Sequence, residues 1–308
     1  MPLRKIKAKT APIRVYLAAV AVSCLAASCR SQGFPDSYPY RAAMYTSVAG
    51  VSQSLEVFPF ASKAFDTPLP FAIGPFAYSP DGRALYAKVL RFGTCGLFRI
   101  EFSPTRATPI PGSETVGVGS LAVTQRGDKL VIAGGQRGAP CSIFEFVLAS
   151  GAVRKLISAS PCDPMKITTH WGHLSVAPDG NRATALRNHR LELIDFSKGT
   201  AAAIPGEFVL GTWSPDGKWL AAVKSGSDTT FLLDSTTLRQ RRVVGPTLLV
   251  WSPDSRYLLA DKRRTLCGLY AATLEVVDVE TGARTEIASS RCRVDRNTVG
   301  WVSRGIAQ

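Results

Sequence analysis

Trp213-Ser214-Pro215-Asp216-Gly217 decides how this sequence is read, because the same pattern can be laid over other parts of the chain without a gap. Close copies stand at Tyr78-Ser79-Pro80-Asp81-Gly82 and Trp251-Ser252-Pro253-Asp254-Ser255. Weaker ones stand at Val176-Ala177-Pro178-Asp179-Gly180, Val123-Thr124-Gln125-Arg126-Gly127 and Trp301-Val302-Ser303-Arg304-Gly305. Their last positions are about 45, 53, 37, 38 and 50 residues apart, the spacing of a repeat array. Proline presets φ in a tight turn, aspartate can accept bonds from the turn's backbone, and glycine takes the positive φ that closes it. Each copy is therefore expected to be a hairpin turn. Apolar runs follow it at Ala84 to Val89, Leu130 to Ala133, Trp219 to Val223 and Tyr257 to Ala260. Third strands are expected to end at Asp195, Asp234 and Asp278, each before a polar corner, with a shorter fourth strand closing the unit. Four short strands per repeat is the signature of a β-propeller.

The aromatic-Ser-Pro-Asp-Gly turn followed by an aliphatic strand resembles the repeat of TolB-like propellers, within the broader WD-repeat-like propellers, over roughly residues 70 to 305. The resemblance implies a fold and leaves activity open, since propellers host unrelated functions. A β-sandwich is the competing reading of regularly spaced strands and turns. Few residues follow the copy at Trp301, so its partner strands are expected from the N-terminal side, where Ala43 to Val48 and Leu55 to Phe60 have strand character. The expectation is an all-β, six-bladed propeller over residues 41–308 with one blade shared between the two ends, which removes free sheet edges.

Residues 1–28 read as an export signal: Arg4, Lys5, Lys7, Lys9 and Arg14 precede the small, apolar run Val15 to Ala27. The run ends in Leu25-Ala26-Ala27-Ser28-Cys29, which resembles the lipobox of bacterial lipoproteins and implies lipidation at Cys29. Cys24 is the alternative position, and cleavage without lipid is the alternative outcome, giving a secreted or soluble periplasmic chain. Residues 29–40, polar and proline-containing, read as a tether.

The 45% hydrophobic and 19% charged composition suits one folded domain rather than a disordered chain. Without the leader's basic residues, about 32 Lys and Arg face 23 Asp and Glu. A basic exported protein favours acidic partners, whether lipid heads, glycans or protein, and export disfavours nucleic acid. A monomer held to the membrane by its lipid, with no cofactor, is expected.

Cys141 and Cys267 open third strands, while Cys162 and Cys292 follow fourth strands. Antiparallel geometry would bring Cys141 beside Cys162 and Cys267 beside Cys292, and export makes two disulfides plausible in redox terms. Cys95 holds the same place without a second cysteine and reads as a buried thiol.

In a propeller the loops joining second to third strands open on one face and the Pro-Asp-Gly turns on the other. The first face collects Arg187, Lys224, Arg263 and Arg264 from inner loops, and Arg242, Arg293 and Arg296 from connecting loops. Together with His170, Trp171 and His173 these form the expected binding residues of a basic mouth. The two histidines could ligate a metal, but three-residue spacing on a strand points them to opposite sides, so no metal site is expected. No Gly-x-Ser-x-Gly elbow or phosphate loop is present, and no catalytic residue is expected. Two functions fit: a non-enzymatic envelope module engaging a protein or anionic ligand, or a metal-assisted lyase or hydrolase acting on acidic glycans. The resemblance to TolB implies a periplasmic partner protein, but the chain is expected to lack the small domain that precedes the TolB propeller, so the TolB partners do not transfer.

Overall fold

All regular elements in the computed structural model are strands among the residues it describes: 38–48, 52–57, 62–65, 72–90, 96–102, 105–114, 117–135, 142–158, 171–227, 229–245, 247–266, 269–290 and 299–303. All of these lie in the unit Ser31–Gln308. The strands are β1 (Tyr40–Val48), β2 (Ser52–Val57) and β3 (Ser62–Phe65), then β4 (Ala72–Tyr78), β5 (Ala84–Leu90), β6 (Leu97–Phe102) and β7 (Thr105–Pro109). Next come β8 (Gly117–Val123), β9 (Lys129–Gly135), β10 (Ser142–Val147) and β11 (Val153–Ser158). They are followed by β12 (Gly172–Val176), β13 (Arg182–Arg187), β14 (Arg190–Asp195) and β15 (Thr200–Ala203). The chain continues with β16 (Phe208–Trp213), β17 (Trp219–Lys224), β18 (Thr230–Asp234) and β19 (Gln240–Gly245). Last are β20 (Thr247–Trp251), β21 (Tyr257–Leu266), β22 (Leu269–Asp278), β23 (Arg284–Ser290) and β24 (Val299–Ser303). They pair into six four-stranded antiparallel sheets, five in simple chain order and one in the order β24-β1-β2-β3. The architecture is an all-β propeller.

The repeated turn forms for the reason its residues suggest. In Trp213 to Gly217, the Ser214 hydroxyl donates to Asp216 Oδ1 at 2.6 Å and accepts the Trp219 N–H at 2.9 Å. Asp216 Oδ1 also accepts the Lys218 N–H at 3.1 Å, and Gly217 closes the turn at φ 74°. Ser79 with Asp81 and Ser252 with Asp254 repeat the network, and Thr124 with Asp128 reproduces it in a weaker copy. Successive turns also touch: a Cβ on Gly127 would meet Pro80 at 3.7 Å, and one on Gly217 would meet Pro178 at 3.6 Å.

Strands β4, β8, β12, β16, β20 and β24 each begin a sheet and neighbour one another in that order. Hydroxyls bridge them across sheets. Ser120 accepts the Leu174 N–H at 3.0 Å, Ser175 accepts the Trp213 N–H at 3.2 Å, and Trp251 Nε1 donates to the Thr212 carbonyl at 3.0 Å. Five of these strands carry a register shift near their start, the kind of bulge that bends a strand and redirects its side chains. Beside one bulge the backbones close up so far that a Cβ on Gly134 would stand 1.6 Å from the Gly117 carbonyl oxygen.

The core lies between successive sheets. Val131, Ile143 and Trp171 pack with Ala183 and Ile194, and Ala221 and Leu232 pack with Trp251, Leu258 and Val277. Each such aliphatic side chain, fully buried, contributes about 1.5–3 kcal/mol.

Both ends of the described chain meet in one sheet, where Ala42 pairs with Trp301 and Met44 with Val299. Tyr38 locks that junction to the neighbouring sheet: its hydroxyl donates to Asp254 Oδ1 at 2.7 Å, and its ring packs edge-on against Tyr257 and Trp301. Burial, together with the bond to the Asp254 carboxylate, raises the Tyr38 hydroxyl's pKa far above the usual tyrosine range. The sequence assigns residues 29–40 to a tether, whereas Tyr38 is buried and β1 opens at Tyr40. Three tyrosyl and tryptophanyl neighbours outweigh the polar composition that surrounds Tyr38. Cys29 and the cysteines expected to pair, Cys141, Cys162, Cys267 and Cys292, lie outside the described residues, as does Cys95.

Candidate binding face

Register fixes two opposite ends of the sheets. The Pro-Asp-Gly turns and the corners after Asp195, Asp234 and Asp278 form a turn face. The hairpins β13–β14, β17–β18 and β21–β22 open on the other, the hairpin face.

The turn face pairs most of its carboxylates with cations. Every aspartate among the described residues except Asp261 stands there. Arg182 meets Asp179 at 2.9 Å, Lys198 meets Asp195 and Arg256 meets Asp278 at 3.3 Å, and Lys218 meets Asp216 at 3.4 Å. Bonds from the Ser197 hydroxyl and the Lys198 backbone hold the Asp195 carboxyl down at about 2. Burial works against ionisation of Asp216 and Asp278, yet the hydrogen bonds each accepts keep both below the usual range.

The hairpin face has a different character. Trp171 sits immediately before β12, and Gly172 pairs with Leu186, which places the indole beside the end of β13. Arg187 ends β13 with its guanidinium 4.6 Å from the centre of the Trp171 ring. Its Nε donates to both Glu192 oxygens, at 3.2 and 3.1 Å. The Arg187 side chain is only 13% exposed and that of Glu192 10%, so this is a buried ion pair stacked on an indole. Arg187 Nη1 and Trp171 Nε1 are buried and have no hydrogen-bond partner among the described residues.

Arg187 is thus a strand residue within a packed cluster, where the sequence suggested an inner-loop residue on an open rim. The following turn consists of Asn188 and His189 at φ 50° and 60°, the two-residue geometry that suits the twist of a hairpin, and it leaves His189 and Arg190 exposed. Sequence reasoning missed Glu192. Its signal was a lone carboxylate inside Leu191-Glu192-Leu193-Ile194, and Glu275 occupies the equivalent buried place opposite Ala260, as Glu192 does opposite Ala185.

Lys224 is the last residue of β17, where the sequence suggested an inner loop, and is exposed, close to the Ser225-Gly226 turn. His173 is exposed in the bulge of β12 at φ 48°, and His170 lies outside the described residues. Among the described residues no three His, Cys, Asp or Glu side chains gather as metal ligands. Arg263 and Arg264 are strand residues of β21, paired with Ala272 and Ala271, because the hairpin runs on where the sequence suggested a loop. Arg242 is displaced from the expected face. It lies in the outer strand β19 and its Nη1 donates to the Val279 and Glu280 carbonyls at 2.7 and 2.6 Å, bracing a turn-face corner. Arg293 and Arg296 lie outside the described residues.

No protein-family model matches the chain, and no curated protein matches it. Among solved structures it is similar to TolB from Acinetobacter baumannii, with TM-score 0.64 and 16% identity over 85% of this chain and 66% of that one. The chain therefore spans just under two thirds of that TolB. It is similar to a chain of the nidogen/laminin complex, with TM-score 0.57 and 11% identity over 85% of this chain and 98% of that one. An oligogalacturonate lyase in complex with manganese matches with TM-score 0.50 and 15% identity over 82% and 73% of the two chains. At these identities the likeness is one of fold, and the fold is that of TolB-like propellers.

Proposed function

We propose that this protein is a non-enzymatic binding propeller of the bacterial cell envelope, a monomer held to a membrane through lipidated Cys29, whose hairpin face engages a protein or anionic ligand. In this reading the six sheets are six blades of one ring, the sheet β24-β1-β2-β3 being the blade that closes it. Disulfides between Cys141 and Cys162 and between Cys267 and Cys292 brace the hairpin ends.

The observation that carries the reading is the division of charge. Asp179, Asp195, Asp216, Asp234 and Asp278 on the turn face are met by arginine or lysine within 4 Å, whereas Arg190 and Lys224 on the hairpin face are exposed and make no ion pair among the described residues. Uncompensated cations attract and orient an acidic partner. Changing Arg190 and Lys224 together to glutamate should weaken binding of a polyanionic probe such as polyglutamate at least fivefold without lowering the melting temperature. Unchanged binding would remove the hairpin face from the reading.

A second reading, a metal-assisted lyase or hydrolase acting on acidic glycans, has one favourable observation: His173 is exposed on a bulged inner strand, where bulges often redirect a side chain for function. Metal analysis decides it. Stoichiometric metal in the purified protein that is lost on His173→Ala favours the enzyme.

A further inference from the structure

An arginine stacks on a buried indole at each face of the protein, and the bonding of the two guanidiniums differs at Nη1. On the turn face the Arg182 guanidinium lies 5.0 Å from the centre of the Trp213 ring. Its Nε donates to Asp179 Oδ2 at 2.9 Å and its Nη1 to the Ser235 carbonyl, in the next sheet, at 3.1 Å. On the hairpin face the Arg187 guanidinium lies over Trp171, and its Nε likewise donates to a carboxylate, that of Glu192. There Nη1 is buried with no acceptor among the described residues. The indole N–H is unmet in both stacks, at Trp213 as at Trp171, so it does not set them apart. What sets them apart is that one guanidinium has both ends used and the other has one end unused.

Buried polar groups are nearly always hydrogen-bonded, and an exception calls for a cause. Arginine presents its donors in a rigid planar fork. Glu192 holds the Nε side of the Arg187 fork and so sets the direction of the other end, while stacking on Trp171 holds the plane. Such a fork is oriented in advance for a planar anion. The charges of this hairpin end agree. Arg187 stands opposite Arg190 in the β13–β14 register, and cross-strand partners share one side of a sheet, so two guanidiniums have one carboxylate between them. The single positive charge left over matches a carboxylate better than a phosphate group, which carries about −1.5 to −2.

We infer that the Nη1 end of Arg187 is the receptor for a carboxylate group of the ligand, held in direction by Glu192 and in plane by Trp171, with exposed Arg190 drawing the anion in. This deepens the binding reading above and rests on it. Part of the Arg187 side chain reaches solvent, so the carboxylate meets the guanidinium at that margin and takes Nη1 as the side chain tilts on its bonds to Glu192. A charge-assisted bond shielded from water is stronger than one made on the open surface. Glutamate and aspartate side chains of a partner protein and the sugar acids of a glycan offer the same group, and the choice of probe separates them.

The test uses the full chain with polyglutamate, polygalacturonate and polyphosphate as probes. In the unsubstituted protein, nitrogen-15 NMR should show the Arg187 side-chain signals shifting, and their proton exchange slowing at least fivefold, when a carboxylate probe is added, while those of Arg182 stay in place. Arg187→Lys keeps the charge, loses the fork and should weaken binding at least tenfold. Arg187→Met combined with Glu192→Leu, which leaves no charge buried alone, should weaken it as much at a melting temperature close to that of the unsubstituted protein. Arg182→Lys, on the turn face, should stay within twofold. Glu192→Ala should lower binding at least fivefold, and Glu192→Gln, which returns an acceptor to Nε, should recover part of it; equal losses would remove Glu192 from the receptor. Arg187 signals that do not move under any probe, or full binding by the Met and Leu variant, overturn the proposal. So does full binding after Arg187→Lys, because a point charge then suffices. A loss seen with polyglutamate alone makes the source a protein side chain, one seen with polygalacturonate alone makes it a glycan, and a loss with both makes the receptor one for carboxylates of either source. A loss confined to polyphosphate overturns the carboxylate assignment. If exchanging Arg190 and Lys224 weakens binding and the Arg187 variants do not, the hairpin face stands without this receptor; if neither does, both readings fall.

Discussion

The two faces of this propeller are built on opposite terms. On the turn face one short pattern recurs, its hydroxyls and carboxylates close on their own backbone, and five of its aspartates meet a cation within 4 Å. On the hairpin face the hairpin strands differ in length from sheet to sheet, and the exposed cations Arg190 and Lys224 make no ion pair among the described residues. Repetition serves closure at one end, while variety at the other leaves surfaces free to differ. The exception is the Trp171, Arg187 and Glu192 cluster, which is as tightly made as any turn.

That contrast can be broken at several points. The largest effect is expected from Gly134→Ala, whose new Cβ would collide with the Gly117 backbone oxygen. A loss of about 3–4 kcal/mol in denaturant unfolding would show that parts of the hairpin end are as constrained as the turns. Next is Glu192→Ala, which strands the Arg187 guanidinium in the interior and should cost about 3 kcal/mol. Replacing the pair together, Arg187→Met with Glu192→Leu, should recover most of it. If the double variant remains stable but loses polyanion binding, the cluster serves the ligand as well as the fold.

Ser214→Ala should cost about 1–2 kcal/mol, because the Trp219 N–H loses its acceptor and Asp216 loses a donor. Ser227→Ala, on the hairpin side, half-buried and losing the long bond from the Thr229 N–H at 3.3 Å, should cost under about 0.5 kcal/mol. Equal losses would erase the distinction between the faces. Acid provides a gentler probe of the turn carboxylates. The Asp195 carboxyl titrates lower in the folded chain, at about 2, than in the unfolded chain, near the ordinary 3.9. Its contribution is therefore complete above pH ~4 and lost as pH falls toward about 2. Asp216, Asp234 and Asp278 shift in the same direction, so amide exchange at the turn face should quicken over that window before it does at the hairpin face. The smallest effect belongs to Lys218→Ala, since its exposed pair with Asp216 contributes under about 0.5 kcal/mol.

The turn face was legible because its chemistry is local. Serine, proline, aspartate and glycine within five residues specify their own bonds, and the strands on either side follow from the aliphatic runs. The pairing of Trp301 with the segment around Ala42 was also legible, because an unfinished repeat at one end calls for strands from the other. The hairpin face was harder to read. Arg242 and Arg187 were grouped with solvent-facing cations on their proximity to loops, yet one reaches across to a neighbouring corner and the other stacks on Trp171. Those choices depend on contacts between residues distant in the chain, which no local pattern encodes. Glu192 and Tyr38 escaped notice for the same reason: a single polar residue in an apolar strand, or a single aromatic in a polar stretch, declares its role only when its distant neighbour is known.

Joining β1 to β24 has a consequence for how the chain matures. Residues 40 and 303 must meet, so the first hairpin to emerge during synthesis has to wait, without its inner neighbour, until nearly everything else has followed. Contacts of such sequence separation form slowly. A chain of this design stays pliable until its last strand has been made, and its final rigidity arrives as one late event.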